Sequence, residues 1–458
     1  MRLNKVGTGL KQARNGWWPR QLFNAALAGV FLLTGCGFSE TDRRSDQEEN
    51  ATNPGGLAPN RRPLSRVTKS TSFAAVTAEE GRAAEVGRDI LLAGGNATDA
   101  AVAMYFALAV TLPSAASLGA SGACVVHNEK TKKAEAFVFP PIAAPGAVKG
   151  TPFSVPVGVR AITLMHVRHG QLRWEQTVSP AERLARFGFP VSRALARDLQ
   201  AGGSLLGSDA EARRIFGSVG EGTPLMQPEL ATVLGGIRQR GGAEFFQGAL
   251  ARTFSEQISQ AGGSLPVDTL RNAVPISSAP QSVSQYRSRV YVAPSPAAGA
   301  AALAGWNGAP PAGGAPADSG GFAGFAAVDS KGGAAACELS MGQLFGARVV
   351  VPGSGILLGS PNPEAASVSP LIIANPGNGE FTFAGAGGGG PGAAQAVGFV
   401  AREVIDNGKN LGAVLAGRRA QGGFVNAIAC PSGLRGKPEA CSTGADPAGA
   451  GLSTLANE

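Results

Sequence analysis

Histidine is scarce in this chain: three in 458 residues, beside three tyrosines, four tryptophans, five methionines and five cysteines. So few imidazoles exclude a histidine-based metal centre, and the cysteines show no Cys/His zinc spacing, so neither metal nor cofactor is expected. Charge is sparse too, 16% of residues against 44% hydrophobic, and no apolar run reaches the roughly 20 positions a membrane-spanning helix needs. Glycine (66) and proline (31) are plentiful, which implies many turns in a globular protein that still has ample material for a core. The length admits three domains, but an α/β protein can fill it as one.

The net charge of +8 is unevenly placed. Arg2, Lys5, Lys11, Arg14 and Arg20 fall in residues 1–35, which contain no acid, and without them the balance is +3. The basic character is therefore partly an export feature and no sign of nucleic-acid binding. Behind these residues comes the mostly apolar run Leu22 to Leu33, then Leu33-Thr34-Gly35-Cys36. This order resembles a bacterial lipoprotein signal, implying cleavage after 35, a lipid on Cys36 and attachment to a membrane. Gly37 is not the aspartate that retains such proteins at the inner membrane, so a periplasm-facing protein of the outer membrane is expected. Residues 36–71, polar and proline-containing, read as a flexible tether.

From Phe73 the pattern becomes that of a folded α/β domain. Phe73 to Thr77 reads as a strand, and Glu80 to Ala93 as a helix ended by Gly94-Gly95. Asn96 to Asp99 supply caps for a buried apolar helix, Ala100 to Thr111. Helices are also expected at Pro228 to Arg240 and Ala393 to Val404, and strands at Tyr286 to Tyr291, Leu371 to Ile373 and Phe381 to Phe383. The apolar runs Phe322 to Val328 and Ala334 to Leu339, joined by Asp329 to Gly333, read as a β-hairpin.

Taken in order, Gly94-Gly95-Asn96-Ala97-Thr98-Asp99-Ala100-Ala101-Val102-Ala103, Gly188-Phe189-Pro190-Val191-Ser192, Val328-Asp329, Phe345-Gly346 and Gly353-Ser354-Gly355-Ile356-Leu357-Leu358 resemble the γ-glutamyltransferase family of N-terminal-nucleophile hydrolases. The resemblance implies a four-layer αββα sandwich. It aligns 72–310 with the family's large subunit, 311–321 with the loop cut by self-processing, and 322–458 with the small subunit. It also implies a γ-glutamyl hydrolase or transferase acting on glutathione-like amides. In such enzymes a freed threonine is nucleophile and its own amine the base, since an unassisted hydroxyl attacks poorly at neutral pH.

The catalytic set is incomplete. In register from Asp329 the nucleophile position falls on Phe322, or on Ala323 after a slip of one, and the position of the carboxylate-gripping arginine falls on Pro141. Ser319 is the hydroxyl nearest the strand opening, readable as a displaced nucleophile or as part of a Ser/Gly turn. Ser340 aligns with a supporting threonine, Glu364 with acids that hold the substrate amine, and Ser367 with one of two carboxylate-binding serines. Gly388 and Gly389 align with the glycines whose N–H groups form the oxyanion site. Two readings follow: a γ-glutamyl enzyme, or an inactive, unprocessed envelope lipoprotein that binds a ligand or partner with the same scaffold. Cys430 and Cys441 bracket a short loop and are expected to form a disulfide. Cys124 and Cys337 lie in apolar strands and are expected to be free, buried thiols.

Overall fold

The computed structural model describes residues 73–456. The leader, Cys36 and the tether lie outside them. Among the described residues no helix is long and apolar enough to cross a membrane.

Two antiparallel sheets are stacked face to face. The first has seven strands in the order Leu452–Leu455, Ala75–Ala78, Phe322–Val328, Ala334–Ser340, Ser121–Asn128, Lys133–Phe139 and Ile276–Ser278. The second has six: Ser442–Ala445, Phe424–Ala429, Phe381–Gly388, Leu371–Ala374, Ser288–Val292 and Gln281–Gln285. Each sheet takes strands from both halves of the sequence, so neither half carries a complete sheet of its own.

Alternation along one strand shows why the layers number four. In Phe322–Val328, Ala323, Phe325 and Ala327 enter the core shared with the helices Gly81–Leu92 and Ala97–Thr111. Phe322, Ala326 and Val328 enter the second core, between the sheets. A third core joins the far face of the six-stranded sheet to the helices Gly299–Trp306, Ala393–Ile405 and Leu411–Arg418. A strand buried on both faces must be apolar at nearly every position, which is why these segments read as continuous runs. Gly324 marks a close approach of the sheets, because a Cβ there would lie 2.5 Å from the Gly387 carbonyl oxygen.

The expected caps form. Glu80 accepts from the Ala83 N–H, and Gly94 takes φ +87° behind the first helix. Asn96 and Asp99 make a reciprocal capping box, so the second helix starts at Ala97, a turn earlier than its apolar stretch suggests. Asp99 also accepts from the Gln171 and Leu172 N–H groups, tying a distant loop to the helix start.

Two expectations need correction. Cys124 and Cys337 are not free thiols but a disulfide: they face each other across neighbouring strands with Cα atoms 4.1 Å apart. Cys430 and Cys441 are paired as expected. The segment from Tyr286 is not all strand either. Tyr286 and Arg287 form a two-residue turn between Gln281–Gln285 and Ser288–Val292.

Candidate active-site corner

The strand aligned with the nucleophile begins at Phe322, which pairs with Ser340. In front of it Ser319, Gly320, Gly321 and Phe322 make a β-turn in which the Phe322 N–H donates to the Ser319 carbonyl at 2.8 Å. Gly320 and Gly321 have φ of +58° and +82°, the pair of left-handed residues that a type I′ turn demands. At Gly321 no side chain fits, since a Cβ would lie 2.3 Å from the Gln343 backbone. Ser319 is thus the first residue of a tight turn and fully buried. Its N–H donates to Asp198 Oδ1 at 2.9 Å, and its Oγ accepts from the Gly321 N–H at 3.3 Å. Asp198 also accepts from Ser114 Oγ at 2.5 Å.

Gly388 and Gly389 lie beside the same strand end. Gly388 is the last residue of its strand, paired with Phe424, and the Gly389 N–H points at the Phe322 carbonyl from 3.5 Å. The segment ahead of the turn crosses over them. Gly422 donates to the Gly313 and Gly314 carbonyls at 3.3 Å, and Pro316 packs so close that a Cβ on Gly389 would be 2.6 Å from its ring.

Ser319, Ser340, Gly388 and Gly389 therefore gather around Phe322. The Ser340 hydroxyl accepts from the Gly342 N–H at 2.9 Å. Glu364 is exposed in the one-turn helix Pro363–Ala366 and its backbone N–H donates to Asn362. Ser367, half-buried, caps that turn, which reaches the corner through Asn362 donating to the Gly342 carbonyl at 3.3 Å. Pro141 carries no charge, and no three His, Cys, Asp or Glu side chains among the described residues group to hold a metal.

Sequence reading missed the polar side chains beneath the corner. Glu79, buried where the first strand turns into the first helix, accepts from Asn426 Nδ2 at 2.8 Å. Burial pushes its carboxyl up to about 7, against the opposing pull of that hydrogen bond. Glu338 sits between the sheets and accepts from the Ser369 N–H at 3.2 Å. Burial lifts it to about 8, opposed by the Ser369 and Gly387 N–H groups. Burial also raises Asp198, against its bonds from Ser114 and Ser319. Arg197 lies 3.6 Å from Asp198 and stacks 4.8 Å above the Phe424 ring. One signal was available: Glu338 is the lone carboxylate in the otherwise apolar run Ala334 to Leu339.

A profile of the family described as gamma-glutamyltranspeptidase matches residues 83–310. Among curated proteins, the "Glutathione hydrolase proenzyme" of Escherichia coli (strain K12) is 32% identical over 272 residues, covering 53% of this chain and 47% of that protein. The chain belongs to the γ-glutamyltranspeptidase family. The protein of the same name from Bacillus subtilis (strain 168) is also 32% identical, over 42% of this chain and 36% of its own length. This family member thus spans less than half the length of those curated relatives. In fold it is similar to the cephalosporin acylase from Bacillus halodurans, with a TM-score of 0.70 and 19% identity over 84% of this chain and 96% of that one. At that identity the likeness concerns the fold alone, an N-terminal-nucleophile hydrolase sandwich.

Proposed function

We propose that this γ-glutamyltranspeptidase-family protein stays uncut and does not turn over γ-glutamyl amides, serving as an envelope lipoprotein that binds a small γ-glutamyl ligand or a partner through the family scaffold. The observation that carries this reading is Phe322. An aromatic side chain packed between the sheets stands where a nucleophile would open the strand, and its carbonyl lies against the Gly389 N–H. A second support is Pro316, which covers the glycines that would stabilise an oxyanion. Losing a nucleophile leaves only the small rate factor that an oxyanion site supplies by itself. Lipid attachment at Cys36 belongs to the same proposal and rests on the leader sequence.

A specific contact favours a second reading, a serine enzyme that cuts itself before Ser319. Ser319 lies beside the buried Asp198 carboxyl, a group able to accept a proton. Against it, Ser319 is locked in the turn with its N–H already bonded.

The deciding assay is release of p-nitroaniline from γ-glutamyl-p-nitroanilide, run alongside calorimetric titration with glutathione. The proposal expects no release above the blank, in wild type and Ser319→Ala alike. Release that disappears in Ser319→Ala would transfer the function to the second reading. Saturable heat with glutathione without turnover supports the small-ligand arm, and absence of heat leaves a macromolecular partner.

A further inference from the structure

The strand Gln281–Gln285 ends the six-stranded sheet, and among the described residues nothing pairs with its outer side. The two-residue turn closes on the pair Gln285 and Ser288. By antiparallel alternation, Gln281, Val283 and Gln285 turn their peptide groups inward to Ser288–Val292, and Ser282 and Ser284 turn theirs outward. Exposed edges are ordinarily blunted by charge, proline, a bulge or a covering element. The edge strands Ser442–Ala445 and Leu452–Leu455 lie against each other, and on the short edge strand Ile276–Ser278 the charged Arg168 side chain bonds the Ser277 hydroxyl. Gln281–Gln285 has neither charge nor proline, and both of its serines are exposed.

Its sequence also reads the same in both directions: Gln-Ser-Val-Ser-Gln. We infer that this edge is the interface of a homodimer, in which a second copy of this chain adds the same strand antiparallel about a two-fold axis at Val283 and extends the sheet across both copies. Each residue then faces the one equally far on the other side of the axis. Ser282 faces Ser284 of the second copy, and the outward peptide groups of both serines exchange hydrogen bonds twice over. Gln281 faces Gln285, so no charge is opposed anywhere along the strand. One step beyond, Tyr286 comes opposite Pro280 of the second copy. Tyr286 is 95% exposed and held at φ +49°, a left-handed conformation unusual for an aromatic residue. An aromatic ring on a proline is the contact that would employ it. The interface is isologous, as a closed dimer requires, and its small area makes it a reversible one.

The test is sedimentation equilibrium of the full chain carrying Cys36→Ser, so that no lipid drives association, over about 1 to 100 micromolar, where a small interface titrates. A monomer–dimer equilibrium is expected. The pair Ser282→Lys with Ser284→Lys sets like charges across the axis and should weaken the dimer by about tenfold or more. Ser282→Glu with Ser284→Glu should do the same alone and regain dimerisation when mixed with the lysine variant. Urea midpoints equal to wild type show that both variants fold. A chain monomeric throughout the range overturns the inference, whether the edge is then covered by residues 1–72 or by another protein. So does a dimer that ignores the lysines, or charge variants that fail to pair on mixing.

Discussion

Glutamine at Glu338 keeps the shape of the side chain and removes its titration. In the folded protein this carboxyl has its pKa raised from 4.5 to about 8 by burial between the sheets. A raised folded pKa means that the native state holds a proton the unfolded chain releases. Stability contributed by that proton is complete below pH 4.5 and is lost as pH rises through about 8. At roughly 1.4 kcal/mol per pH unit, the gap sets a ceiling of about 5 kcal/mol for full deprotonation. Glu79, raised to about 7, works in the same direction. Urea denaturation from pH 5 to pH 8.5 should therefore show wild-type stability falling steadily, and Glu338→Gln falling with a slope smaller by up to about 1.4 kcal/mol per pH unit. The variant, equal to wild type or slightly weaker at pH 5, should be the more stable protein at pH 8.5. Parallel stability curves for the two proteins would refute the placement of a protonated carboxyl between the sheets.

Three further outcomes follow from the packing. Asp99→Ala removes the capping box and the bonds to residues 171 and 172, and should cost about 2–4 kcal/mol by urea unfolding. Gly324→Ala drives a Cβ against the Gly387 carbonyl and should lower the melting temperature by an amount matching about 2–3 kcal/mol, where alanine at the solvent-facing Gly203 has little effect. Replacing Cys430 and Cys441 together by serine opens a loop with a sequence separation of 11 and should destabilise by about 2–3 kcal/mol, seen as a lower urea midpoint.

Some of this molecule could be read before it was folded. Phe322–Val328 and Ala334–Ser340 stood out because both faces of a sandwiched strand must be apolar, and Asn96 with Asp99 named a helix start through chemistry that is local. Pairing between distant segments was not legible. Cys124 and Cys337 join only because their strands are neighbours in one register, which no spacing 213 residues apart encodes. Gln281–Gln285 holds a single apolar residue, so its strand emerges only from its partner Ser288–Val292, and Tyr286 was assigned to a strand when it belongs to the turn. At the corner, alignment found the backbone positions, Phe322, Gly388 and Gly389. Glu79, Asp198 and Asn426 come from three separate segments, and only the folded chain brings them beneath those residues.

The central claim is that the strand opening at Phe322 lacks an attacking group, so the chain remains in one piece. Intact-mass spectrometry of the purified mature protein, after prolonged incubation at neutral pH, tests it most directly. A single polypeptide covalently continuous from 310 through 322 is predicted. Two fragments divided before Ser319 would contradict it, and the contradiction would be complete if Ser319→Ala restored the single mass.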